Sequence, residues 1–173
     1  MLDDNRLDGK VALVTGAGGE IGEATIRVMA ARGARIVAVD RDAGSLQRLS
    51  AALPELNLVT CEADVADEEA VRRYVAYAQS RTGRIDIFFN NAGIEGPVCP
   101  IAEYPLADFQ RVIDVNVIGV FLGLKHVIPA MQATGGGSIV NSSSVAGLTG
   151  TPGICAYNAQ QTRGHRADPQ RRG

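Results

Sequence analysis

Five short apolar runs, at residues 11–14, 35–39, 57–61, 85–89 and 138–140, alternate along this chain with stretches of helical character. The runs are rich in aliphatic and β-branched residues and are bounded by Gly, Asp or Asn, as buried strands are. The intervening stretches, at residues 21–32, 43–52, 67–81 and 105–132, predict helices. Asp67 followed by Glu68 and Glu69 predicts an N-cap with an acidic first turn, and Gly33 and Gly83 stand where helix C-terminal glycines stand. Strand–helix alternation of this kind predicts an α/β fold with a doubly wound parallel sheet of Rossmann type, the first strand central. Right-handed crossovers would place helices on both faces in three αβα layers.

Composition narrows the function. At 173 residues and 46% hydrophobic, the chain is sized for one core and one domain. A net charge of −2 and a pI near 5.7 argue against nucleic acid or an anionic membrane as partner. Cys61, Cys99 and Cys155 are far apart with no CxxC, which predicts a reducing compartment and neither a disulfide framework nor a metal site. The N-terminus, MLDDNRLDGK, is polar, and no apolar run is read as reaching the ~18 residues of a membrane span. A cytoplasmic location follows as the expectation.

The first strand runs into Thr15-Gly16-Ala17-Gly18-Gly19-Glu20-Ile21-Gly22 and then into a helix. Glycines there let the backbone turn tightly and approach a pyrophosphate, which a helix N-terminus stabilises. The second strand ends at Asp40, 24 residues after Gly16. An acid at that place accepts from both adenosine ribose hydroxyls and repels a 2′-phosphate, so NAD is favoured over NADP. Arg41 is the one neighbour that argues for NADP. Asp64-Val65 follows the third strand and Asn90-Asn91-Ala92-Gly93 the fourth, both at strand C-terminal ends, where open parallel sheets bind ligands.

These residues, in this order and spacing, resemble the short-chain dehydrogenase/reductase family over residues 7–159: TGAGGEIG, Asp40, Asp64, NNAG, Asn116 within DVNVIG, the serine run in SIVNSSSVAG, and Tyr157. The resemblance implies an NAD-dependent oxidoreductase that interconverts a secondary alcohol and a ketone, working as a homodimer or homotetramer. It implies that Gly16, Gly18, Gly19, Glu20, Ile21 and Gly22 hold the cofactor together with Asp40, Arg41, Asp64, Val65 and Asn90 to Gly93. Asp64 would meet the adenine ring, and Asn116 would hold a water in a proton relay. Ser144, 13 residues before Tyr157, would polarise the carbonyl, and Tyr157 would be the acid/base. A phenol with a pKa of ~10 does this work only when a cation lowers it. A nucleotide-sugar epimerase shares the Tyr-xxx-Lys pattern, but NNAG and the compact spacing argue against it.

Two positions depart from the family. Glu20 stands where its middle glycine belongs, and Gln161 where its lysine belongs. Gln161 lies in a C-terminal stretch, QQTRGHRADPQRRG, with four arginines and no aliphatic residue larger than alanine. Read one base out of frame, the codons of that stretch permit Ser-Lys-His-Ala-Val-Ile-Gly-Leu-Thr-Arg-Ser-Ala-Ala, which supplies the missing lysine and an amphipathic helix. The expectation is a frameshift after Ala159. Residues 1–159 would then be an incomplete dinucleotide-binding domain lacking its C-terminal strands, and 160–173 a non-native tail. Such a chain would be inactive, either a dinucleotide-binding fragment without catalysis or an unstable pseudogene product.

Overall fold

The computed structural model describes residues 5–56, 58–144 and 152–163, with side chains as far as Ala159. Five parallel strands, β1 (Val11–Thr15), β2 (Arg35–Asp40), β3 (Val59–Glu62), β4 (Ile87–Asn90) and β5 (Ser138–Asn141), form one sheet in the order β3-β2-β1-β4-β5. The first strand is central, as expected. The order reverses between β1 and β4, so the connections leaving these two strands diverge and open a crevice at their C-terminal ends.

Alternating side chains on the strands feed two cores. On one face Leu13, Val37, Val39, Val59 and Phe88 pack against Val71, Tyr74, Val75 and Ala78 of α3 (Glu68–Thr82) and Leu122, Val127 and Met131 of α5 (Gly119–Gln132). On the other, Ala12, Val14, Ile36 and Ala38 meet Ile26 of α1 (Glu20–Ala31) and Leu46 and Leu49 of α2 (Ala43–Ala52). The three-layer, doubly wound arrangement is thus observed. Asp67 caps α3 by accepting from the Glu69 N–H at 3.0 Å, and Gly83 closes it at φ 79°, both as the sequence predicts.

The expected long helix runs from Leu106 to Gln132, but not as a uniform α-helix. α4 (Leu106–Ile113) passes through a π-helical turn, Asp114–Ile118, before α5 begins. This helix also corrects the reading that no stretch is long and apolar enough to span a membrane. Its 27 residues include an 18-residue window of mean hydropathy 1.6. Part of the apolarity serves the core, where Leu122, Val127, Ala130 and Met131 are buried beneath the sheet, while Ile118, Phe121 and Ile128 are exposed.

A sixth helix, α6 (Cys155–Arg163), carries Tyr157 and packs on α4. Its backbone stays helical four residues past Ala159. Asn57, the expected start of the third strand, lies outside the described residues, as do Val145 to Gly147 of the serine motif, the side chain of Gln161 and residues 164–173.

Candidate active site

A cleft of about 430 Å³ opens at the reversal point. It is lined by Gly16, Gly19, Glu20, Ile21 and Gly22 from the first turn and by Asp40, Arg41, Ala63, Asp64 and Val65 from the ends of β2 and β3. Asn91, Ala92, Gly93 and Ile94 after β4 and Val115 of the π turn close it. The glycines have separate reasons. Gly16 sits at φ 64°, a left-handed conformation, and a Cβ there would lie 3.0 Å from the Ala92 Cα. A Cβ on Gly22 would meet the Gly16 carbonyl, so only glycine lets α1 start this close to the turn. Gly18 does not line the cleft; a side chain there would collide with Ser45, and its N–H donates to Asp40 Oδ2 at 3.0 Å.

No side chain caps α1 at Gly19, so the helix presents its first N–H groups to the cleft. A backbone cradle that a Cβ would fill, facing an uncapped helix N-terminus, fits a pyrophosphate. Glu20 is the first residue of α1 and is exposed. Its charge suits the helix dipole, yet it borders the place a pyrophosphate would take.

Asp40 already accepts two main-chain N–H groups, Gly18 on Oδ2 and Asp42 on Oδ1, each at 3.0 Å. Asp64 accepts the Ala66 N–H at 2.9 Å on Oδ1 and Arg111 Nη2 at 2.6 Å on Oδ2. Burial alone would raise this carboxyl, but the Ala66 N–H and the Arg111 guanidinium outweigh it and hold it below its ordinary value.

A second, small cavity of about 60 Å³ adjoins the cleft through Asn91, Ala92 and Gly93. Asn90, Asn116, Val120, Ser142, Ser143 and Tyr157 complete it. Asn90 is buried, donating to the Val120 carbonyl at 3.2 Å and to Asn141 Oδ1 at 3.1 Å. Asn116 stands in the π turn and grips Ile94 at both main-chain groups, accepting its N–H at 2.9 Å and donating to its carbonyl at 2.8 Å. π turns of this kind re-aim side chains at functional sites. The fold therefore brings Asn116 and Tyr157 together from three different segments with Ser142 and Ser143, while Ser144 is not among the cavity's lining residues.

Three contributors escape a reading by spacing. Thr15 is fully buried, its hydroxyl accepting the Asn91 and Ala92 N–H groups at 3.0 and 3.2 Å. Ser142 donates to Asn91 Oδ1 at 2.8 Å. Arg111 reaches Asp64 from 47 residues away, and nothing local in the sequence signals it.

The family model for the short chain dehydrogenase matches residues 10–161. Levodione reductase of Leifsonia aquatica is 41% identical over 158 residues, which cover 89% of this chain and 59% of that protein. Cyclohexanol dehydrogenase of Acinetobacter sp. (strain SE19) is 38% identical over 157 residues, covering 90% of this chain and 62% of that one. The crystal structure of NAD+-bound xylitol dehydrogenase superposes with a TM-score of 0.86 at 40% identity, over 90% of this chain and 61% of that one. The chain belongs to the short-chain dehydrogenase family, whose members are oxidoreductases that act on small molecules with a nicotinamide dinucleotide. It spans about three-fifths of the length of these relatives.

Proposed function

We propose that the cleft takes NAD and that the adjoining cavity is the proton-transfer end of a site interconverting a secondary alcohol and a ketone. The observation that carries this reading is the continuity of the two spaces. Asn91, Ala92 and Gly93 wall both, so a dinucleotide lying along the cleft would end beside Tyr157, Asn116 and the serine run. The cofactor would supply the hydride acceptor or donor. The relative named for cyclohexanol, itself a secondary alcohol, and the NAD+-bound structural neighbour support the same chemistry.

The chain's own residues divide the work. Gly16, Gly19 and Gly22 would let the pyrophosphate approach the start of α1. Asp40 would bind the adenosine ribose and repel a 2′-phosphate, favouring NAD, and Asp64 would face the adenine. Tyr157 would exchange the proton of the alcohol hydroxyl, Asn116 would hold a relay water, and Ser144 would polarise the carbonyl. Gln161 stands at the place of the cation that would lower the phenol's pKa. This favours a second reading for the sequence as it stands: a dinucleotide-binding domain over residues 1–159 with a non-native tail at 160–173, produced by a frame slip, and no catalysis. In the first reading the protein is a cytoplasmic homodimer or homotetramer.

One experiment separates the readings. The chain and its Gln161→Lys variant are titrated with NAD and NADP and assayed for NAD reduction with secondary alcohols. Binding of NAD without turnover, and turnover only in a form that carries the lysine, is expected. An inability of every form to bind either dinucleotide would remove the proposal.

A further inference from the structure

Asp64 lines the cleft, whereas Arg111, on α4, does not. The guanidinium sits behind the carboxylate, 2.6 Å from Oδ2, and both side chains are 35% exposed. The other oxygen, Oδ1, accepts the Ala66 N–H at 2.9 Å. We propose that Arg111 is a positioning residue for the adenine end of the cleft, holding the Asp64 carboxylate turned so that its unused lone pairs face the base.

The chemistry is that of a two-sided clamp. An ionised carboxylate offers about four lone-pair sites and no donor. The two contacts engage one oxygen each and restrain the plane of the group, while Asp64 itself lines the cleft. The exocyclic 6-amino group of adenine is a donor, and an ionised carboxylate, having no donor of its own, accepts from it on either oxygen. Burial works against that state; the Ala66 N–H and Arg111 preserve it. Arg41, at the end of β2, adds a second positive field in the same direction but makes no contact with Asp64 that fixes its plane. The clamp thus differs from the exposed pairs Arg72–Glu69 and Arg27–Glu23, which lie within single helices and do not line the cleft.

The inference rests on the reading of Asp64 as the adenine contact, and the test keeps the two apart. The full chain and its Arg111→Gln, Arg111→Lys and Asp64→Ala variants are titrated with NAD and with nicotinamide hypoxanthine dinucleotide, in which an oxo group replaces the 6-amino group. Titrations run from pH 8 to 4.5, with circular dichroism as the check on folding. Arg111→Gln is expected to weaken NAD about tenfold, to leave the hypoxanthine analogue nearly unchanged, and to make NAD affinity fall toward pH 4.5 where the unmodified chain stays flat. Arg111→Lys is expected to restore the flat profile, because it returns the charge, but not the full preference for adenine, because an ammonium lacks the planar fork. Arg111 variants that bind both dinucleotides as the parent does, at every pH, would overturn the proposal. Should Asp64→Ala discriminate the two bases as the parent does, the adenine reading itself falls. A parent chain that binds neither would overturn the function on which both rest.

Discussion

Thr15 and Asn91 bind each other twice where β1 and β4 end: the Thr15 hydroxyl accepts the Asn91 N–H at 3.0 Å, and the Asn91 side-chain amide donates to the Thr15 carbonyl at 3.2 Å. The same hydroxyl accepts the Ala92 N–H at 3.2 Å. One buried side chain therefore fastens the loop that walls both cavities to the strand that feeds the glycine turn. Replacing it with valine keeps the shape and leaves two main-chain donors without that acceptor. Thr15→Val is expected to cost about 1–3 kcal/mol in chemical unfolding, and Thr15→Ser to recover most of it. Equal midpoints for Thr15→Val and the parent would show that the hydroxyl does not hold the loop.

Asp40 anchors the glycine turn within the protein itself, because Gly18 and Asp42 both donate to it. Asp40→Ala is expected to narrow the preference for NAD over NADP about tenfold, and also to weaken both dinucleotides, since the glycine turn loses its anchor. Titration calorimetry with the two cofactors measures both effects. An unchanged ratio would place the discrimination elsewhere, with Arg41 the next residue to examine.

A phenol, with a pKa of ~10, works as an acid/base near neutral pH only when a cation lowers it, and Gln161 stands where the family has its lysine. The chain is expected to reduce NAD no faster than a Tyr157→Phe control. Restoring the reading frame at codon 160, with the native downstream DNA, is expected to raise the rate by ~10²–10⁴, the usual worth of positioned acid–base catalysis. Turnover by the chain at the rate of the frame-restored form would contradict the assignment. Resequencing codons 158 to 162 tests the frame slip directly.

Asp86 lies at the opposite end of the sheet, its side chain 6% exposed, accepting the Val11 N–H at 3.0 Å and paired with Arg84 and, at 3.6 Å, Lys10. Burial pushes its carboxyl up, but Arg84, the Val11 N–H and Lys10 together carry it below the ordinary value. A folded value below the unfolded one, about 3.9, means that the contribution to stability is complete above that pH and is lost as the pH falls through the depressed value. Asp86→Ala is expected to lower stability by about 1–3 kcal/mol at pH 7 and to flatten the acid limb of the stability profile. Parallel pH profiles for variant and parent would show that other carboxylates set the acid limit.

All five strands were legible as runs of aliphatic and β-branched residues; the central β1 and its neighbour β2 are covered on both faces and leave little room for polar side chains, whereas β5 is largely exposed and was read from its short run alone. The third and the fourth each begin two residues later than their runs. Ile85 is buried before pairing starts, and Asp86 turns its carboxylate back onto Val11. The glycine turn and the lining at Asp40, Asp64 and Asn91 were legible for the same reason: each follows a strand directly, so sequence position translates into position on the sheet. Thr15 and Arg111 were hidden because their partners lie 76 and 47 residues away. The π turn was hidden because Asp114–Ile118 contains no proline or glycine to mark it.

That turn has a consequence for helical phase. A π turn fits one residue more into a turn than an α-helix does, so everything beyond it is rotated by about 100° relative to an unbroken α-helix. Arg111 on α4 reaches Asp64 before the turn, and Leu122 and Val127 on α5 enter the core after it, so the relative orientation of the two halves includes that offset. Deleting a single residue between Asp114 and Ile118 would heal the hydrogen-bond ladder locally, yet it would turn one half of the helix out of step with the sheet. The bulge is a phase adjuster: Asn116 faces Ile94 at the one place along 27 residues where the helix changes its count.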